Sequence, residues 1–275
     1  MGKFSGCLLA CDIDGTTLYN GILPEKNIEA IERFKAEGGI VSIATGRTVA
    51  ALSPILKLYD GFGPSVVSNG SMIYDPSKDE VLYEVTLDSS ELDCIKTALN
   101  TSNTVGIEIH SGKNVYTVNE TKETVDHQVY EEMSALSFNE GMYETIKPNK
   151  ILYLYTDEEE KQKVNKRVKE VGKKSAFCDT LVTIYGKKRR YLEQMPEGIS
   201  KAETLIKMCE MLKIDKNKLF AIGDGFNDIE MLSFAHISAC PAEAPDEVKA
   251  AADMIVKSAK EGAVADFIDY LFDSI

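Results

Sequence analysis

Cys7-Leu8-Leu9-Ala10-Cys11-Asp12-Ile13-Asp14-Gly15-Thr16-Thr17-Leu18 is the stretch on which the fold turns. Its first five residues are apolar throughout, as in a strand buried on both faces of a parallel sheet. The run stops at two carboxylates, two positions apart, followed by a glycine and two hydroxyls. In an extended chain, residues two apart project to the same side, so these anions repel unless a cation neutralises them. A hard divalent ion such as Mg2+ suits that role, because it uses one or two carboxylates and keeps positions for phosphate oxygens and water.

The pattern repeats on either side. Pro24 opens a segment with Ile28, Ile31 and Phe34 on one helical face, closed at Gly38-Gly39. Ile40-Val41-Ser42-Ile43-Ala44 reads as a second strand, followed by Thr45-Gly46-Arg47 and a helix through Leu58, and Ser65-Val66-Val67-Ser68 as a third. The alternation resumes after Pro196, with a helix over 200–212, a strand Leu219–Ile222, and the turn Gly223-Asp224-Gly225-Phe226-Asn227-Asp228. A short strand near Ile237, a helix after Pro245, a strand at Met254–Val256 and a closing helix complete it. Alternating strand and helix predicts an α/β fold, a doubly wound parallel sheet with function at the carboxyl ends of its strands.

Between these halves the period changes. Residues 71–87 read as a hairpin turning at Asp75-Pro76-Ser77-Lys78-Asp79. Helical runs at 89–100, 120–135 and 157–171 are interleaved with β segments near 105–110, 114–118, 150–155, 175–178 and 181–185. The expected organisation is a core of residues 1–83 and 191–275 with an inserted α+β cap domain over 84–190.

Three strand-end turns thus carry polar residues: Asp12 and Asp14, then Thr45-Gly46-Arg47 with a hydroxyl and backbone donors ahead of a helix, then Asp224 to Asp228. Taken singly, each is as easily a surface turn or a helix cap. Three of them, each following an apolar run at the end of a predicted parallel strand, converge on one site.

Asp12-Ile13-Asp14-Gly15-Thr16-Thr17-Leu18 resembles the first motif of the haloacid dehalogenase (HAD) superfamily of phosphotransferases. Thr45-Gly46-Arg47 is similar to its second motif as written in the Cof-type and sucrose-phosphatase-like branch, Gly198-Ile199-Ser200-Lys201 to its third, and Gly223–Leu232 to its fourth. Ser68-Asn69-Gly70 resembles the Asn-Gly turn that this branch carries before its large α/β cap. The resemblance implies Asp12 as nucleophile forming an aspartyl-phosphate, and Asp14 as general acid and then base. It implies Thr45 and Asn227 as phosphate contacts, with Gly46, Arg47 and Asn69 beside them, and Lys201 as partner of the phosphoryl group and of Asp12. It implies Mg2+ held by Asp12, the Asp14 main-chain carbonyl and Asp224, with Asp228 anchoring the metal. Two stretches depart from the pattern: Ala202 stands where the family commonly has glycine, and Ser238–Val248 looks more like capless sugar-acid phosphatases.

Composition limits the partners. Thirty-one Lys plus Arg against 44 Asp plus Glu give a net charge of −13, which repels duplex DNA and anionic membranes. No apolar run reaches the ~20 residues of a membrane span. The expectation is a cytoplasmic protein acting on a small phosphorylated metabolite, with no nucleic-acid or membrane partner; its oligomeric state is not written in the sequence. The six cysteines (7, 11, 94, 178, 209, 240) include no CxxC pair and read as scattered core residues. His110, His127 and His236 fit no ligand spacing, and Tyr153 and Tyr155 read as core. Lys187-Lys188-Arg189-Arg190 reads as a solvated strand in so acidic a chain, with Arg190 the candidate for a second anionic group on the substrate.

The leading expectation is a Mg2+-dependent phosphatase of a sugar phosphate. A sugar phosphomutase is the alternative within this architecture, since eukaryotic-type phosphomannomutases share it, and a non-catalytic phosphometabolite-binding protein that kept the fold is the alternative from another functional class. A dinucleotide-binding reading fails because no Gly-x-Gly-x-x-Gly follows the first strand.

Overall fold

The apolar run before Asp12 forms β1 (Leu8–Cys11), fully buried along its length, as a strand sandwiched between helical layers must be. The computed structural model describes residues 2–184 and 187–275. After β1 come α1 (Glu25–Ala36), β2 (Ile40–Ile43), α2 (Val49–Leu58), β3 (Ser65–Val67), β4 (Met72–Asp75) and β5 (Glu80–Glu84). The inserted stretch supplies α3 (Asp93–Thr101), β6 (Gly106–Ser111), β7 (Asn114–Asn119), α4 (Lys122–Tyr130), β8 (Leu136–Ser137), β9 (Lys150–Leu154), α5 (Glu158–Val171), β10 (Ser175–Ile184) and β11 (Lys187–Pro196). The chain then closes with α6 (Lys201–Leu212), β12 (Leu219–Ile222), α7 (Ile229–Phe234), β13 (Ile237–Pro241), α8 (Asp246–Ala251), β14 (Met254–Val256) and α9 (Ala263–Ser274).

These elements divide into two compact units, one of Met1–Gly46, Ile55–Tyr83 and Ser200–Ile275, the other of Arg47–Pro54 and Glu84–Ile199. In the first, a parallel sheet of order β14-β13-β12-β1-β2 sets Leu8 opposite Leu219 on one side and opposite Ile40 on the other. Alternate residues of β1 serve opposite faces. Leu8 and Ala10 pack with Leu205, Met208, Met231, Leu232 and Val248 from α6, α7 and α8. On the other face, the α1 residue Phe34 stacks on Phe4 at 4.4 Å between ring centroids and meets Phe220 edge-on. Truncating such a buried aromatic to alanine costs about 3–5 kcal/mol. The third strand departs from expectation: β3 meets the parallel sheet at an isolated Ala44–Val66 bridge and belongs instead to an antiparallel sheet with β4 and β5. The turn after Val67 sends the chain straight back, so that Ser65, Val66 and Val67 pair with Tyr74, Ile73 and Met72.

In the second unit a six-stranded sheet of order β10-β11-β9-β6-β7-β8 carries α3 and α5 on one face, around Ile107, Ile109, Ile151, Tyr153, Tyr155 and Leu192. Both tyrosines are core residues, as read. The β segments expected at 175–178 and 181–185 are one strand: β10 runs unbroken to Ile184, while residue 185 lies outside the described residues. It pairs along its whole length with β11, from Ser175–Pro196 to Ile184–Lys187. The basic run opens β11, and it is not uniformly solvated. Arg189 is largely buried and its guanidinium donates to Glu123 at 2.8 Å and Asp126 at 2.9 Å on α4; the side chains of Lys187 and Lys188 lie outside the described residues. Five cysteines are buried, whereas Cys178 is exposed on β10, near the sheet edge. Among the described residues no helix is long and apolar enough to cross a membrane.

Candidate active site

The chain leaves β1 toward β2 on one side and β12 toward β13 on the other, so the carboxyl ends of β1 and β12 flank the point where strand order reverses. Asp12 is the first residue beyond β1, and its N–H donates to the Ile222 carbonyl at 2.9 Å, tying it to the end of β12. Asp224 stands two residues beyond β12, and Asp228 closes the short turn before α7, accepting from the Gly225 N–H at 2.9 Å. Asp12, Asp224 and Asp228 each offer a carboxylate oxygen, and these three oxygens lie within 4.8 Å of one another.

Lys201 enters from α6. Ser200 caps that helix, its hydroxyl accepting from the Glu203 N–H at 3.2 Å, so Lys201 is the first helical residue and points back across the sheet end. Its Nζ donates to Asp12 Oδ1 and to Asp228 Oδ1, both at 2.7 Å, and the side chain is 1% exposed. Two hydroxyls of the first turn brace the site: Thr16 donates to the Asp224 carboxylate, at Oδ1, at 2.9 Å, and Thr17 to the main-chain carbonyl of Asp12. Both are buried, and the sequence marks them only as hydroxyls following Gly15.

The electrostatics expose a shortage of positive charge. Burial pushes the Asp12 carboxyl well above the usual carboxylate range; Lys201 opposes this, and Asp228 and Asp224 reinforce it. Burial likewise pushes Asp224 up to about 6, against the Thr16 hydrogen bond. Burial alone would lower the Lys201 ammonium, yet Asp12 and Asp228 outweigh it and hold it above the usual lysine range. Three crowded carboxylates sharing one ammonium form a set of hard oxygen donors that a divalent cation completes.

A second group of predicted residues meets around Asn69. Its N–H donates to the Thr45 carbonyl at 3.0 Å, and its Oδ1 accepts from Asn227 Nδ2 at 2.9 Å. Gly46 abuts the same side chain: a Cβ there would stand 3.0 Å from Asn69 Oδ1. Asp14 is exposed on the first turn, bridged by its backbone to Leu18. The two arginines belong to the second unit. Arg47 clusters with the second unit, where its guanidinium meets Glu131 at 3.2 Å, and Arg190 is exposed on β11 of that unit.

Residues 9–268 match the family of haloacid dehalogenase-like hydrolases. The chain belongs to that family, and within it to the phosphatases. It is 25% identical over 285 residues to the 5-amino-6-(5-phospho-D-ribitylamino)uracil phosphatase YitU of Bacillus subtilis, covering 96% of this chain and 97% of that one. A HAD/COF-like hydrolase of Plasmodium vivax superposes with a TM-score of 0.77 at 28% identity, over 97% of this chain and 95% of the other. A HAD subclass IIB sugar phosphatase shares the fold at a TM-score of 0.80 and 20% identity, over 97% and 99% of the two chains.

Proposed function

We propose that this phosphatase is Mg2+-dependent and hydrolyses a small sugar phosphate through an aspartyl-phosphate. The observation that carries the reading is Asp12, held at 2.7 Å by a buried ammonium beside Asp224 and Asp228 at the strand-order reversal. A carboxylate so placed serves as a nucleophile, with Lys201 limiting repulsion from the incoming phosphate. An Asp12 oxygen attacks phosphorus, and the bond to the leaving alcohol breaks with its electron pair on the alcohol oxygen, which takes a proton from Asp14. Asp14 then removes a proton from water, water oxygen attacks phosphorus, and the acyl-phosphate P–O bond breaks to regenerate Asp12 and release inorganic phosphate. The Thr45 hydroxyl, the Gly46 backbone and the Asn227 amide hold the phosphoryl oxygens. Asp12, Asp224, Asp228 and the Asp14 carbonyl would hold Mg2+, which when bound neutralises charge between the carboxylates and the phosphoryl oxygens.

Selection of the alcohol is assigned to residues 84–190 as a cap, on the ground that the insertion leaves the core after Ser68-Asn69-Gly70 and rejoins it before Lys201. Arg190 is its candidate anion contact, and Arg47, beside Gly46, is a candidate phosphate contact of the second motif. The sugar-phosphate class is supported by the subclass IIB neighbour, a sugar phosphatase, and by the phosphorylated ribityl chain in the name of the Bacillus relative. The test is a screen of the purified protein, with Mg2+, against a broad panel of phosphate esters, reading released inorganic phosphate. Release from a narrow set of sugar phosphates is expected. No release from any ester would sink the reading, and isomerised sugar phosphate without release would identify a mutase.

A further inference from the structure

Ser68, Asn69 and Gly70 have φ of +52°, +54° and +104°, three consecutive residues in left-handed backbone, of which only the last is glycine. Non-glycine residues seldom occupy that region, and a run persists only where the surroundings over-determine it. Part of the restraint is internal: the Ser71 hydroxyl and N–H donate to the Ser68 carbonyl at 2.7 and 3.2 Å. The rest comes from α6. Gly70 lies so close to that helix that a Cβ on it would stand 2.2 Å from the Ser200 carbonyl oxygen. The Gly70 carbonyl, turned inward, accepts from the hydroxyl of Thr204, which is 2% exposed.

The restrained turn joins three of the four motif segments. Asn69 donates to the Thr45 carbonyl and accepts from the Asn227 amide, while Thr204 sits one helical turn after Lys201 on the same face of α6. Of the two Nδ2 protons on Asn227, Asn69 takes one and so sets the direction of the other. We infer that Thr204 is a positioning residue, which by holding the Gly70 carbonyl fixes Asn69, and through Asn69 aims Thr45 and Asn227 at the phosphoryl group. The inference rests on the phosphate-contact roles proposed above for Thr45 and Asn227.

A valine at 204 has nearly the volume of threonine but leaves the buried carbonyl without its donor, whereas serine keeps the hydroxyl. The full-length protein is compared as wild type, Thr204→Val, Thr204→Ser, Asn69→Ala and the Thr204→Val/Asn69→Ala double variant. Readouts are kcat and KM on p-nitrophenyl phosphate, the inhibition constant of inorganic phosphate, and the melting temperature. Thr204→Val is expected to lower kcat/KM and weaken phosphate binding by about tenfold, the equivalent of one lost hydrogen bond, with Thr204→Ser within about twofold of wild type. In the Asn69→Ala background the Thr204→Val effect should shrink, because the side-chain route to Asn227 is gone while the main-chain N–H that meets the Thr45 carbonyl remains. Unchanged kcat/KM and phosphate inhibition with a lowered melting temperature would overturn the inference, as would effects that simply multiply in the double variant. If Thr204→Val yields no folded protein, Thr204→Ala goes through the same cycle. Calorimetric titration of inorganic phosphate into wild type and Thr204→Val needs no turnover. It therefore decides the inference even where a wild type inactive on every ester has removed the phosphatase reading.

Discussion

Gly15 and Asp224 stand so close that a Cβ on Gly15 would lie 2.4 Å from Asp224 Oδ2, at a φ of +85° that a side chain would also strain. The close approach is what lets the first turn fold back beneath the carboxylate while Thr16 donates to it. Gly15→Ala should displace Asp224 and cost about 1–3 kcal/mol of stability from backbone strain. Phosphatase activity should fall by at least about tenfold, since the carboxylate has moved from its neighbours. Steady-state kinetics alongside thermal melting check both effects, and full activity in a destabilised variant would mean that Asp224 need not hold its position.

Asp12→Asn should abolish turnover, by on the order of a thousandfold or more, because the amide removes the attacking oxyanion. Lys201 keeps Asp228 as a partner at 2.7 Å, so the variant should stay folded. Circular dichroism and released phosphate, measured on the same preparation, separate the two. Activity like that of wild type would overturn the covalent route.

Chelation with EDTA should stop hydrolysis, Mg2+ should restore it, and Ca2+ should restore it poorly. Mg2+ keeps a tight octahedron at ~2.1 Å whereas Ca2+ takes more oxygens at longer range, which would tie up both oxygens of Asp12. The same ions should raise the melting temperature by relieving repulsion among Asp12, Asp224 and Asp228. Unaltered rates after exhaustive chelation would remove the metal from the scheme.

Acid sensitivity should trace to the second unit. Glu108 of β6 is buried beneath α4, its Oε2 2.8 Å from His127 Nδ1 and 3.5 Å from His110 Nε2. Neither His110 ring nitrogen makes a hydrogen bond among the described residues. Burial, aided by Lys150 and against Glu108, lowers His110 to about 4. Burial raises the Glu108 carboxyl, but the two histidines outweigh it and hold it well below the usual carboxylate range. Burial also lowers His127, and Glu108 and Glu131 outweigh it, raising it above the usual histidine value. Since His110 binds its proton less readily folded than unfolded, stability is fully present above about pH 6.5 and drains away toward pH 4, by roughly 3 kcal/mol. His127 has the opposite sign: its contribution is present below pH 6.5 and is lost as pH rises through its higher folded value. Urea unfolding across pH 4–8 should therefore give a flatter acid limb in His110→Leu, and in His127→Gln a loss of stability that is larger in acid than in base. Identical pH profiles in wild type and His110→Leu would refute the assignment.

The core and its carboxylates were legible because apolar runs ending in Asp12, Thr45 and Asp224 mark parallel strands, whose carboxyl ends necessarily meet. What escaped the sequence depends on contacts between distant segments. His110 and His127 fit no ligand spacing, yet β6 and α4 bring both to Glu108, with a bulge between Ile107 and Glu108. Arg189 reads as one more surface charge until α4 sets Glu123 and Asp126 against it. Thr204 left a faint signal, lying three residues after Lys201 and so on one helical face. The partner that gives it meaning, the Gly70 carbonyl, lies 134 residues away.

The pairing of β1 with β12 carries a cost in time. Lys201 and Asp12 stand 189 positions apart in sequence, and the central strand pair of the core is wider still. A growing chain therefore exposes β1 and β2 with one ladder edge unmatched until Leu219–Ile222 have been synthesised, a state open to mispairing. Loop-closure entropy rises only slowly with length, and an inserted unit with its own sheet and apolar core shortens the floppy tether to the few residues on either side of it. Substitutions that slow the folding of this unit, even far from Asp12, should therefore delay the closing of the phosphatase core and lower the yield of active protein.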